Sequence, residues 1–195
     1  SWAADISVIN ATHPTIPLEA QFKGVSMKER CLIAMKEKNS VFNAIYCETR
    51  GGLKESDSVG DLLPRHYTNK AKIRELLKLG SLHSLGSEIG KAHEQNWGES
   101  VGIGMPAEIR ANLCKEDPRA QWCCAYGRDL KTPNVGCIQV ASLTALRHAA
   151  INAQVEYVYV YAYDEWRAWM MVSSGDNARR NNWTAIDLNA VSIAS

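Results

Sequence analysis

The most regular pattern of apolar and polar positions lies in TNKAKIRELLKLG, residues 68–80. Ile73, Leu76 and Leu77 recur at helical spacing, Lys70 and Arg74 take the opposite side, and Gly80 stands where a helix stops. IQVASLTALRHAAINA, 138–153, predicts a second amphipathic helix. An earlier zone also reads as helical. Ser26 can cap a helix from Met27 with Glu29 in its first turn, carrying Cys31, Leu32, Ile33 and Met35 on its apolar side. Ser40 can cap a second segment through Ile45, Tyr46 and Cys47, which Gly51-Gly52 ends. Shorter helices are expected over 84–96, from Pro106, and within 118–129. The period then changes. In EYVYVYAYD the residues Tyr157, Tyr159, Tyr161 and Tyr163 point one way, and Val158, Val160 and Ala162 the other, so this is a strand. RAWMMVSSG (167–175) and NNWTAIDLNAVSIA (181–194) add further strands, and DISVIN (5–10) predicts a short N-terminal one. The expected fold is α+β: a helical middle packed on a C-terminal antiparallel sheet that the N-terminal strand can join.

Composition narrows the class. The 195 residues suit one domain over 1–195. A net charge of +1 lacks the basic excess of a nucleic-acid-binding domain. No apolar run approaches the ~20 residues of a membrane-spanning helix. No phosphate-cradling P-loop and no GxGxxG after a strand is present, so no cofactor is expected.

Six cysteines, Cys31, Cys47, Cys114, Cys123, Cys124 and Cys137, form an even set without a CxxC pair. With a chain that begins at Ser1, as after leader removal, they predict a disulfide framework in a secreted or periplasmic protein. The alternative is six buried thiols in a reducing compartment. The histidines are scattered, so no metal site is expected.

Four features could carry function. The first is Glu48 in NAIYCETRGG, at the end of an apolar segment. A carboxylic acid that protonates a glycosidic oxygen needs a fixed, partly apolar seat, and a packed helix end can supply one. CLIAMKEKNSVFNAIYCETRGG, residues 31–52, resembles the catalytic helix of lysozyme-like lytic transglycosylases. That resemblance implies a peptidoglycan-cleaving hydrolase or lyase with Glu48 as its acid/base. The second is Cys137 in TPNVGCIQ, placed where a helix dipole can lower a thiol pKa and make a nucleophile for a thiol hydrolase or deamidase. The third is LCKEDPRAQWCC, which resembles the cysteine-spaced helices of mitochondrial intermembrane-space proteins. It departs from them in having eight residues between Cys114 and Cys123, and bears only on compartment. The fourth is the tyrosine ladder. Tyr157, Tyr159, Tyr161 and Tyr163, with Trp166 nearby, could form a flat surface for a protein or a glycan, or a core face whose hydroxyls meet backbone carbonyls.

The leading expectation is an exported, disulfide-stapled binding or accessory protein with a protein or glycan partner. A Glu48-dependent glycan-strand hydrolase and a Cys137 thiol enzyme stand as rivals.

Overall fold

A computed structural model of the chain describes residues 29–53, 56–92, 121–132, 136–172 and 182–188. Among these residues eight strands form one mixed sheet: β1 (Cys31–Lys36), β2 (Phe42–Cys47), β3 (Leu82–Ser84), β4 (Cys124–Ala125), β5 (Ile138–Val140), β6 (Tyr157–Ala162), β7 (Glu165–Val172) and β8 (Asn182–Ile186). Their order is β4-β3-β2-β1-β6-β7-β8, and β5 also pairs with β2. Three helices accompany them: α1 (Val59–His66), α2 (Lys70–Lys78) and α3 (Leu143–Asn152).

The helical middle on a C-terminal antiparallel sheet is not formed. The segment expected to be helical over 27–47 is, over its described residues, the β1–β2 hairpin, and it lies near the centre of the sheet. β1 runs antiparallel to β2 and parallel to β6, so the sheet is mixed. The reason is in CLIAMK, whose first five residues are all buried. Cys31, Ile33 and Met35 enter the core on one face, and Leu32 and Ala34 enter the core on the other. A strand buried on both faces shows no apolar–polar alternation, and a short apolar run of that kind is indistinguishable by period from a buried helix. Ser40 is no helix cap. It and Asn39 have left-handed φ values of 60° and 63° and turn the hairpin.

Two other boundaries move. The helix expected over 138–153 begins only after Ser142, whose hydroxyl accepts from the Ala145 N–H at 3.1 Å, and residues 138–140 are a strand. The helix expected over 84–96 is absent from residues 84–92, where β3 ends and irregular backbone follows. The N-terminal strand and the helix from Pro106 fall outside the described residues. The helix over 68–80 is present as α2, capped by Asn69, whose side chain accepts from the Lys72 N–H at 2.8 Å.

The two faces of the sheet carry separate cores. α1 and α2 cover Cys31, Ile33, Ile45, Tyr159 and Tyr161 with Leu62, Leu63, Ile73 and Leu76. On the opposite face α3 contributes Leu146 and Ala150 to a core with Leu32, Ala44, Val158, Val160, Trp169 and Trp183. No helix among the described residues is long and apolar enough to cross a membrane.

Candidate functional site

Glu48 follows directly on β2, and the backbone there continues the pairing with β3. The Glu48 N–H donates to the Leu82 carbonyl at 3.0 Å, and the Thr49 N–H donates to the His83 carbonyl at 3.1 Å. The Thr49 hydroxyl donates to the same carbonyl at 2.7 Å. This short ladder holds Glu48 beside His83. Nδ1 of His83 lies 3.1 Å from Oε2 of Glu48. A carboxylate oxygen can only accept, so the ring proton of this contact is on Nδ1, and Nε2 is left as an acceptor.

The third member comes from the turn after β4. Tyr126 donates its hydroxyl to the same Oε2, and its ring meets His83 edge to face with centroids 6.1 Å apart. Its N–H donates to the Ser81 carbonyl at 3.0 Å. Behind it, the Arg128 guanidinium donates to the carbonyls of Cys123 (2.7 Å), Ile89 and Gly90 (both 3.1 Å). It also pairs with Asp129, which is almost fully buried and accepts from the Ala125 N–H at 2.7 Å. This network ties the loop before β4 to the turn after it, so Tyr126 is presented on a braced segment. The side chains of Glu48 and His83 remain 39% and 21% exposed, so the cluster meets solvent. Among the described residues neither Oε1 of Glu48 nor Nε2 of His83 has a hydrogen-bond partner.

Glu48 therefore stands at a strand end in a polar seat. It does not stand at a helix end in an apolar seat, because residues 31–47 form a hairpin. His83 and Tyr126 escape sequence reasoning. They are 35 and 78 residues from Glu48, and neither LHS nor AYG carries a motif.

The tyrosine ladder divides. Tyr157, Tyr159 and Tyr161 are buried, so they form core and not an open surface. The Tyr159 hydroxyl donates to the carbonyls of Gly51 and Gly52 at 2.6 and 2.9 Å. The Tyr161 hydroxyl donates to the Thr68 carbonyl at 3.0 Å. Trp166 packs on Tyr161 at 5.2 Å and donates its indole N–H to the Tyr67 carbonyl at 2.7 Å. Only Tyr163, on the β6–β7 turn, is exposed, where Lys36 donates to its hydroxyl at 2.6 Å. Alternation along the strand is real, but α1 and α2 cover that side.

Cys31, Cys47, Cys123, Cys124 and Cys137 are free thiols, and Cys114 lies outside the described residues. Cys31 and Cys47 face each other across the β1–β2 pair. Burial pushes the Cys31 thiol well above its usual range, the Cys123 thiol to about 11 and the Cys124 thiol to about 12. Such thiols are poor nucleophiles at neutral pH. Cys137 precedes β5 and not a helix, so no helix dipole acts on it, and partial desolvation raises its pKa. Its Sγ donates to the Ile138 carbonyl at 3.6 Å, and no imidazole among the described residues contacts it. No cluster of three or more His, Cys, Asp or Glu among these residues could hold a metal ion.

The comparisons with known proteins add no relative to this geometry: no family model matches the chain, and neither a curated protein nor a solved structure matches it.

Proposed function

We propose that this chain works by binding, and that Glu48, His83 and Tyr126 form its recognition site for a hydroxyl-rich ligand of the glycan class. The supporting observation is the convergence of the His83 and Tyr126 donors on one oxygen of Glu48. That arrangement fixes the carboxylate and leaves its other oxygen and His83 Nε2 as two oriented acceptors at the surface. Paired acceptors beside an aromatic edge suit the hydroxyl groups of a sugar. A hydrolase would need more: an activated nucleophile, or a second carboxylate placed across the scissile bond. Among the described residues the cluster includes neither.

One observation favours a second reading, hydrolysis dependent on Glu48. The Nδ1–carboxylate contact orients an imidazole as a catalytic base is oriented, with Nε2 free to take a proton from water. One experiment separates the two. Wild type, Glu48→Ala and Tyr126→Phe are applied to a glycan array and to purified peptidoglycan, reading both retention and turbidity. Binding predicts retention on a subset of glycans, no clearing, and at least about a tenfold loss of affinity in Glu48→Ala, the scale of a hydrogen bond to a charged group. Equal retention by the variant would remove Glu48 from the site. Clearing that disappears in Glu48→Ala would transfer the site to the hydrolase reading.

A further inference from the structure

Cys31 opens β1 and Cys47 closes β2, and the antiparallel register sets them directly opposite each other, at the end of the hairpin away from its turn. Both enter the same core beneath α1 and α2, and neither is exposed (0%). The Cys31 thiol hydrogen-bonds Cys47, and the Cys47 thiol donates onward to the Thr49 carbonyl at 3.5 Å. The two sulfurs are therefore direct neighbours.

That placement meets the geometric need of a disulfide. Residues directly opposite in an antiparallel pair have Cα atoms about 4.5 or 5.5 Å apart, depending on the type of pair. A disulfide spans Cα separations of about 4.4–6.8 Å. Both values fit, so side-chain rotation can close the bond with β1 and β2 left in register. The other thiols among the described residues are placed elsewhere. Cys123 Sγ meets the Tyr67 hydroxyl at 3.3 Å and the Gly86 N–H at 3.4 Å. Cys124 faces Ser84 across the β3–β4 pair, and Cys137 is exposed ahead of β5.

We propose that Cys31 and Cys47 are a redox pair: thiols when reduced, and a cross-strand disulfide when the chain folds under oxidising conditions. The proposal does not rest on the glycan reading, although Cys47 directly precedes Glu48 and the bond fastens the strand end that carries it. The step is thiol–disulfide exchange with a small disulfide oxidant such as oxidised glutathione. One cysteine thiolate attacks a glutathione sulfur, the glutathione S–S bond breaks, and one glutathione thiolate leaves. The second cysteine thiolate attacks the protein sulfur of the mixed disulfide, forms the Cys31–Cys47 bond and expels the second glutathione. The protein pair loses two electrons and two protons, and both end on the two glutathione thiols. Timing follows from burial. In the folded dithiol neither sulfur meets solvent, and burial holds the Cys31 thiol protonated. The bond is therefore made while the chain folds and is then sealed in the core.

The test refolds the full chain, reduced and denatured, in a buffer of oxidised and reduced glutathione. Free thiols are then alkylated and the chain is digested with trypsin for mass spectrometry. Trypsin separates the two cysteines, because Lys36 and Lys38 lie between them. The expected product joins CLIAMK (31–36) to NSVFNAIYCETR (39–50), with Cys123 and Cys124 alkylated. The oxidised chain should melt about 6–12 °C above the same chain under reductant, the effect of closing a loop of about 15 residues in a domain of this size. The folded dithiol, given the same glutathione, should form the bond at least about tenfold more slowly than the refolding chain. Alkylated Cys31 and Cys47, or either of them joined to another cysteine, overturns the pairing. A joined pair with no rise in Tm overturns its place as a staple of the native hairpin. Equal rates in the folded and refolding chains overturn the timing. Every reading is taken on the unaltered chain, so no substitution that fails to fold can obscure it.

Discussion

The two faces of the sheet solve the same problem differently. Beneath α1 and α2 the core is rich in tyrosine and cysteine, and the hydroxyls of Tyr67, Tyr159 and Tyr161 are matched, whereas the buried Ser58 hydroxyl has no hydrogen-bond partner among the described residues. Tyr159 reaches Gly51 and Gly52, Tyr161 reaches Thr68, and Tyr67 reaches Gly86 at 2.7 Å and contacts Cys123 Sγ at 3.3 Å. Tyr159 thus ties the loop after β2 to the sheet, and Tyr67 ties the loop after β3 to the end of α1. Beneath α3 the core is aliphatic with two tryptophans, and the buried Trp183 N–H has no hydrogen-bond partner among the described residues. On the first face backbone carbonyls answer the tyrosine hydroxyls, whereas on the second the Trp183 indole N–H is buried without that compensation.

The largest effect should come from the first face. Tyr159→Ala removes a fully buried ring and takes the donor from the Gly51 carbonyl, while the Gly52 carbonyl keeps the Gly60 N–H, and should destabilise the fold by roughly 3–5 kcal/mol in denaturant unfolding. A loss below about 1 kcal/mol would show that Tyr159 is not core.

Alkaline pH should act next, and on the same face. The Cys123 thiol is held protonated to about 11 by burial, against an ordinary value of 9.0, and the Cys124 thiol to about 12. Between pH 9 and 11 the unfolded chain has lost a proton that the folded chain keeps at Cys123. The stabilisation is therefore complete below pH 9, falls as pH rises, and is gone above about 11, on the order of 2–3 kcal/mol for Cys123. Unfolding midpoints measured from pH 8 to pH 11 should fall, and Cys123→Ala should flatten the slope. A flat wild-type profile would contradict a buried Cys123.

A matched pair of substitutions then sharpens the contrast. Tyr159→Phe deletes only a hydroxyl but leaves the Gly51 carbonyl without its donor, and should cost about 1–3 kcal/mol. Trp183→Phe deletes a donor that has no hydrogen-bond partner among the described residues, and should change stability by less than about 1 kcal/mol in either direction. Equal costs would mean that the faces do not differ in polar satisfaction. The smallest effect is expected outside both cores. Arg74 donates from Nη2 to Glu37 at 2.8 Å on an exposed surface, and Arg74→Ala should leave the unfolding midpoint almost unmoved, as exposed ion pairs do.

What the chain discloses by pattern follows from how each segment is buried. α2 is legible because one side is wet: Arg74 and Glu75 stay exposed while Ile73, Leu76 and Leu77 are buried. β6 is legible by its tyrosine alternation, although both its faces are buried, because tyrosine and valine differ in kind. β1 is not legible. Cys, Leu, Ile, Ala and Met say apolar in either secondary structure, and only the left-handed Asn39 and Ser40 betray the hairpin. That one misreading moves the centre of the fold from the C-terminal strands to β1 and β2. The site was half legible. Glu48 is conspicuous before a glycine pair, yet those glycines serve something local reading cannot show. Their carbonyls receive Tyr159 from 107 and 108 residues away, and a Cβ on Gly52 would collide with the Glu29 carboxylate. His83 and Tyr126 join Glu48 only because β3 and β4 extend the sheet at that edge, and pairing order is not written in any local period.

Glu48, His83 and Tyr126 form a site only if they meet at one carboxylate oxygen. The most direct measurement is the tautomer of His83 from its ring ¹⁵N shifts, in wild type and in Glu48→Leu. The geometry requires the proton on Nδ1 in the wild-type neutral ring, and a shift of population toward the Nε2–H form once the carboxylate is gone. An Nε2–H ring in wild type, or shifts that ignore the substitution, would mean that Glu48 does not hold His83 and that the three residues do not make a site.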